Sequence, residues 1–348
     1  MLSVLAAQAE KAKAILPPEV QDYYSAGAGD EVTVAESVNA WSAFRLRPWP
    51  LQNVGVVNTT VRLLGDDFAT PIAVAPSAFH RLANPAGELA SAAGTAEAGA
   101  LFVLSTRASV PIAEVAAATA APWWFQVYVM RNREVTARIV QDAVRSGARA
   151  LVLTGDTPYV GRKRRVNGVR IPMPDDHYLV NISPHLPPGT DGRAAAAQDP
   201  TIDLDTIGWL KQLSGLPVLV KGVLRGDAAV QCLDAGADGV IVSNHGGRQL
   251  DRAIPSALAL AEVTSAVGDR APVLVDGGLR SGSDVLIALA LGATAVLIGR
   301  PVLWGLAADG AAGVRSVLQA LTDDLQHVMA LAGVSELSAI RPDMVIRF

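Results

Sequence analysis

From residue 70 onward, short apolar runs with little polar alternation recur along the chain, each followed by a stretch whose apolar residues return every three or four positions. The runs are Ile72–Ala75, Leu101–Leu104, Trp124–Val129, Ala150–Leu153, Pro217–Val220, Gly239–Val242, Pro272–Val275 and Thr294–Ile298. Their length suits strands, and the missing alternation predicts strands covered on both faces, as in a parallel sheet. The stretches between them, among them Glu88–Ala98, Arg133–Ser146, Asp227–Ala235 and Ser283–Leu291, predict amphipathic helices. Several run into a Gly-Ala pair (Gly99, Gly147, Gly236 and Gly292), and glycine suits the left-handed residue that closes a helix. Eight strands alternating with helices predict an α/β fold, a closed (β/α)8 TIM barrel. The open doubly wound alternative lacks its Gly-x-Gly-x-x-Gly turn after the first strand.

Two regions stand outside this repeat. Residues 1–69 predict a helical N-terminal extension, then a short β-rich approach through Val61–Leu64 and the Gly65-Asp66 turn. Residues 160–205, after the fourth strand, are basic and then rich in Pro, Gly and Ala, a long irregular loop and candidate lid. The last helix is expected over about Gly313–Ala332. No linker composition divides the chain, so 1–348 is expected to be one domain, and 348 residues, half of them hydrophobic, suffice for one large core. The net charge of −4 and scattered basic residues leave no nucleic-acid footprint, and Arg162-Lys163-Arg164-Arg165 is too short to argue otherwise. Cys232 is the one cysteine, so no disulfide forms within the chain, which fits a reducing, cytoplasmic compartment. Residues 1–16 lack a signal-peptide core, and no apolar run approaches the roughly 18 residues of a membrane span.

In a barrel of this type, chemistry is expected at the C-terminal ends of the strands. Polar groups do follow all eight runs: Pro76-Ser77-Ala78, Ser105, Gln126 with Tyr128, Thr154 with Asp156, Lys221, Ser243 with His245, Asp276-Gly277-Gly278 with Arg280, and Gly299-Arg300. The richest segment is Ser243-Asn-His245-Gly-Gly-Arg248, in which an imidazole able to take a proton near neutral pH stands beside a planar guanidinium fork suited to a carboxylate or phosphate. Gly246 and Gly247 let the backbone turn sharply between them. The glycines after strands seven and eight mark a phosphate site, to which Arg280 and Arg300 would add charge-assisted bonds. Taken singly, each residue has a plainer reading: Tyr23 as helix packing, Asp156 as a helix cap, Lys221 snorkelling to solvent, Arg280 on a surface helix. His80, His177, His185 and His327 show no ligand spacing, and no metal is expected.

SNHGGRQLD, VDGGLRSGSDV, VLIGRP, VLVKGV, FQVYV and DYYSAGAGDE, in this order-dependent set, resemble the FMN-dependent α-hydroxy acid oxidase and dehydrogenase family over about residues 15–335. The resemblance implies FMN as cofactor and oxidation of a small (S)-2-hydroxy acid to its 2-oxo acid. It makes His245 the base, Asp156 the carboxylate that steadies the imidazolium, and Arg248 and Tyr23 the holders of the substrate carboxylate. Tyr128 bonds the substrate oxygen, and Lys221 stands where charge accumulates on the flavin. Pro76, Ser77, Ala78, Ser105, Gln126, Thr154 and Ser243 match positions along the flavin ring and ribityl chain. Asp276, Gly277, Gly278, Arg280, Gly299 and Arg300 match the ribityl and phosphate site.

Two departures bear on the substrate. Lys163 stands where many relatives carry a second carboxylate-holding Arg, keeping the charge but losing the fork, so Arg162 or Arg164 are alternative anchors. Arg107 replaces a Trp of the plant glycolate oxidases, which would favour a polar or acidic substrate group in a pocket completed by Phe79 and Val160. Ala78 resembles members that react with O2, whereas Gly is common in the dehydrogenases. O2 is therefore the expected acceptor, with a dehydrogenase of the same family, an isomerase on a flavin or phosphate barrel, and a flavin-binding protein without turnover as alternatives. By analogy the chain is expected to form a homotetramer, with no nucleic-acid or membrane partner.

Overall fold

Each of the eight apolar runs is a strand in the computed structural model, which describes residues 2–166 and 173–348. We number them β1 (Ile72–Val74), β2 (Phe102–Ser105), β3 (Trp123–Val127), β4 (Leu151–Thr154), β5 (Val218–Val223), β6 (Gly239–Val242), β7 (Val273–Asp276) and β8 (Ala295–Ile298). All neighbours pair in parallel, and the sheet closes where Val296 of β8 meets Ile72 of β1. The helices of the repeat form between them, and Gly99, Gly147, Gly236 and Gly292 follow four of these with positive φ, as expected.

The absence of polar alternation in the runs follows from two apolar environments. Along each strand one set of residues packs outward on the helices, as Phe102, Leu104, Leu151 and Leu153 do. The alternate set, Ala73, Val103, Trp124, Val152, Leu219, Ile241, Leu274 and Leu297, fills the barrel interior. The hairpin of Val61–Leu63 and Asp66–Phe68 adds Val61, Leu63 and Phe68 to that interior cluster. It sits at the N-terminal ends of the strands: Ala69 N–H donates to Gly99 just before β2, and Asp66 pairs with Arg149 just before β4. The opposite end is left for the site.

Because side chains alternate along a strand, the next inward positions after the apolar layer are fixed by counting two residues on. They are Ala75, Ser105, Gln126, Thr154, Lys221, Ser243, Asp276 and Gly299. Two residues further stand Ser77, Arg107, Tyr128, Asp156 and His245. An apolar plug thus gives way to a polar layer, and that in turn to a titratable one.

The N-terminal extension contains helices Ser3–Ile15, Pro18–Ser25 and Val32–Asn39, and the second carries Tyr23 and Tyr24 to the barrel mouth. The final helix starts earlier than its sequence pattern predicts, running Arg300–Ala332 with a break at Asp309 and Gly310. The break hid its first half, and Gly305 and Gly313 let the two halves touch: a Cβ on Gly313 would lie 1.9 Å from the Gly305 carbonyl oxygen. Within the long loop after β4, short helical turns occupy Asp175–Tyr178, Ser183–His185 and Gly192–Ala195, and the candidate lid falls partly outside the described residues. Among the described residues no helix is long and apolar enough to cross a membrane, and no cluster of His, Cys, Asp or Glu is arranged to hold a metal ion.

Trp124 is fully buried at the centre of the apolar plug. Trp124→Ala should destabilise the protein by about 3–5 kcal/mol, read as a lower denaturant midpoint at unchanged m.

Candidate active site

The turn after β6 bends harder than an ordinary strand end. His245 has φ 58°, followed by Gly246 at 62° and Gly247 at 75°. A Cβ on Gly247 would stand 2.7 Å from the backbone nitrogen of Val34, so only glycine lets the N-terminal extension pack on this turn. A left-handed histidine is strained, and strain of this kind persists where the surroundings over-determine it. Here the His245 N–H donates to Ser243 Oγ at 3.0 Å, and its ring is held from β4 by Asp156, with Nδ1 3.0 Å from Oδ1.

That contact decides the tautomer. A carboxylate can only accept, so Nδ1 carries the hydrogen and the neutral ring presents its lone pair at Nε2. Nε2 lies 3.4 Å from the Tyr128 hydroxyl, and both residues line the cavity. Burial pushes the Asp156 carboxyl up, but His245, Lys221 and the Thr157 hydroxyl outweigh it and leave it below the ordinary value. Burial, then the Asp156 charge, raises the Tyr128 phenol, which stays protonated as a donor. β5 makes room for this pair: its register shifts between Lys221 and Val223, and a side chain on Gly222 would meet Asp156 Cβ at 2.5 Å.

The cavity encloses about 600 Å3, within the ~300–1,000 Å3 usual for ligand sites. On one side Arg248 is fixed through Nη1, which donates to the carbonyls of Tyr23, Tyr24 and Ala26 at 2.9, 3.2 and 2.9 Å. Its guanidinium lies 5.3 Å from the centre of the Tyr23 ring, whose phenol is raised by burial. Lys163 lines the same wall and donates to the Gly161 carbonyl at 3.1 Å. Burial, then Arg248, pushes its ammonium down to about 8. Arg164 instead pairs with Asp30 at the surface, so Lys163 rather than Arg164 supplies the extra cation. Arg107 also reaches the cavity, where Phe79 stacks on Tyr178 at 5.0 Å.

The other end is built for an anion. Gly277 and Gly278 turn with φ 98° and 86° after β7, and the helix beginning at Arg300 follows Gly299 after β8. Burial lowers Arg280 to about 10. Burial and then the neighbouring Arg248 and Arg280 lower Arg300 to about 9. Arg300 is held by the carbonyls of Tyr24 and Gly246 at 3.1 and 3.0 Å. Buried cations that repel one another at a helix start fit a phosphate. Between the two ends Lys221 bonds Asp276 at 2.8 Å and Ser243 Oγ at 2.7 Å. Asp276 Oδ1 is buried with no partner among the described residues and lines the cavity, an acceptor turned toward a hydroxyl-bearing ligand.

Most of the residues singled out in the sequence meet here, including Pro76, Ser77, Ala78 and Ser105 along one wall. Gln126, Thr154 and Ser243 do not line the cavity. They share the polar layer of Ser105, where Ser105 Oγ donates to Gln126 Oε1 at 3.1 Å and Gln126 Nε2 to Thr154 Oγ1 at 2.9 Å. Asp156 likewise stands behind His245, outside the lining. Tyr24, Tyr178, Gln198 and Gln249 were missed. Gln249 sat inside the most informative motif, and its amide donates to the carbonyls of Asp156 and Tyr159, locking the two loops together. Tyr178 and Gln198 lie in the irregular loop, where no periodicity points inward.

A family model described as FMN-dependent dehydrogenase matches residues 12–347. An L-lactate oxidase of Nostoc sp. is 43% identical over 94% of this chain and 94% of its own length. The human 2-hydroxyacid oxidase 1 is 39% identical over 97% and 94% respectively. Among solved structures, a mandelate oxidase crystallised with (S)-4-hydroxymandelic acid superposes with a TM-score of 0.90 at 38% identity, covering 97% of each chain. A lactate oxidase described as putative, from Pediococcus acidilactici, superposes with a TM-score of 0.93 at 33% identity, covering 99% of this chain and 94% of that one.

Lys163 is cationic below about pH 8 and loses its charge above it. Affinity for a small carboxylate probe such as pyruvate should therefore fall as the pH rises through that value, a step that titration calorimetry should no longer find in Lys163→Met.

Proposed function

Since the chain belongs to the FMN-dependent dehydrogenase family, we propose that its cavity oxidises a small (S)-2-hydroxy acid to the 2-oxo acid, with O2 taking the electrons and leaving as H2O2. The observation that carries this reading is the His245 ring, with Nδ1 committed to Asp156 and Nε2 free to take a proton beside Tyr128 and Arg248. Bound FMN would supply the two-electron acceptor for the hydride, or its equivalent, leaving the substrate carbon, with O2 as the final oxidant.

The residues present fit that cofactor. Arg280 and Arg300 would hold its phosphate, Asp276 Oδ1 would accept from a ribityl hydroxyl, and the Pro76–Ala78 and Ser105 wall would flank the ring. Lys221 would supply positive charge to the edge of the ring where negative charge develops on reduction. Its ion pair with Asp276 keeps that ammonium in place.

For the substrate, Arg248, Tyr23 and Lys163 bind and orient the carboxylate, and Tyr128 donates to the hydroxyl oxygen. Nε2 of His245 removes the hydroxyl proton, and the imidazolium formed is stabilised by Asp156, already ionised and 3.0 Å away. The oxidase names of the relatives and the alanine at 78 support O2 as the acceptor. The reading extends to a cytoplasmic homotetramer, supported by the family resemblance and the lone buried Cys232, although some relatives are named as peroxisomal.

Anaerobic (S)-lactate or glycolate should bleach the yellow protein, and admitted air should restore the colour with one H2O2 per turnover; a bleached protein that air leaves colourless would rule out the oxidase. His245→Ala should keep the cofactor but reduce the bleaching rate by about 10²–10⁴-fold. Arg300→Met should weaken FMN binding roughly tenfold or more in a fluorescence titration, since a charge-assisted bond to phosphate is lost.

A further inference from the structure

We infer that Arg107 selects a 2-hydroxy dicarboxylic acid by binding the second carboxylate, beside the Tyr178 and Phe79 wall of the pocket. The inference rests on the reading above and names the substrate class of that same site.

Arg107 occupies the same inward layer as Tyr128, Asp156 and His245, two residues beyond Ser105. Its side chain is positioned before any ligand arrives. Nη2 donates to the Ala196 carbonyl in the loop after β4, and the guanidinium lies 5.7 Å from the centre of the Tyr178 ring. Arg193 covers Tyr178 at 4.2 Å and is itself paired with Asp175, so the ring is a fixed platform. Nη1 of Arg107 is buried without a partner among the described residues. A buried guanidinium donor left unbonded is costly, and an acceptor on a ligand removes the cost. Gln198, two residues from Ala196, also lines the cavity and buries an unpartnered Oε1, so this end is polar in both senses.

The charge inventory points the same way. Of the charged groups at the barrel mouth, Lys221 is ion-paired with Asp276, and His245 with Asp156. Arg280 and Arg300 serve the phosphate end. One substrate carboxylate answers Arg248 and Lys163. Arg107 is left with no ion-pair partner among the described residues, in a pocket whose other walls, Phe79, Tyr178 and Val160, suit short methylene chains. A second carboxylate meets it with a fork-shaped, charge-assisted pair.

The alternative is that Arg107 only staples the loop through Ala196. A staple would affect all substrates alike, whereas a carboxylate holder discriminates between a dicarboxylate and its uncharged isostere. The test is kcat/KM of the holoenzyme for (S)-malate against (S)-2-hydroxy-4-methylpentanoate, and for (S)-2-hydroxyglutarate against (S)-2-hydroxy-5-methylhexanoate, in which an isopropyl group replaces the second carboxylate. The native enzyme should favour at least one dicarboxylate over its isostere by tenfold or more, mainly through KM. Arg107→Met should reduce that ratio at least tenfold and Arg107→Lys by less, with FMN absorbance and circular dichroism confirming that both variants fold. An equal or reversed preference in the native enzyme, or equal losses on both members of a pair, overturns the inference while leaving 2-hydroxy acid oxidation intact. If no 2-hydroxy acid bleaches the native protein, the functional reading itself fails, and this inference with it. The native comparison decides even if Arg107→Met does not fold.

Discussion

The hydrogen bond between His245 Nδ1 and Asp156 organises this molecule's chemistry, and much of the architecture serves to make it. The two residues come from β4 and β6, separated by 89 positions in sequence. β5 lies between those strands in the barrel, so its side chains would obstruct the contact. Gly222, in a register shift, removes the obstruction, and the left-handed turn of His245 swings the ring back over the gap. Without Asp156 the imidazole has no fixed tautomer and would lack a counter-charge on taking up a proton; without the glycine in the bulge the carboxylate cannot approach.

The site also concentrates positive charge at a cost. Arg248, Arg300, Arg280 and Lys163 share one cavity, and burial lowers the last three. Folded alone, such a set opposes itself. Anionic ligands reverse the sign of that opposition, so the protein should gain stability from its cofactor beyond the contacts made. Polar satisfaction tells the same story on a smaller scale, since three buried atoms without partners among the described residues, Asp276 Oδ1, Arg107 Nη1 and Gln198 Oε1, belong to residues that line the cavity.

The barrel was legible because period and length are properties of short segments. The β1–β8 runs need apolar residues on both faces, and nothing outside a strand mimics that pattern for eight repeats. The site was legible for a related reason: counting in twos from Val103, Trp124, Val152 and Ile241 arrives at Arg107, Tyr128, Asp156 and His245. What escaped lies where no period operates. Tyr178 and Gln198 reach the cavity from an irregular loop, and Tyr24 acts through its carbonyl, which no side-chain pattern can report. Gln126, Thr154 and Ser243 share the inward layer of Ser105, Lys221 and Asp276, but their side chains are engaged with neighbours in that layer. The start of the final helix was misjudged because its glycines serve a close crossing rather than an end.

Residues 23–26 deliver carbonyl oxygens to two different guanidiniums, Arg248 at the substrate end and Arg300 at the phosphate end, with Tyr24 serving both. One turn of backbone is thus a yoke across the cavity. Whatever steadies one arginine steadies the strip of peptide that holds its counterpart, and by linkage the tightening is mutual. An anion held at either end would therefore stiffen the cradle at the other.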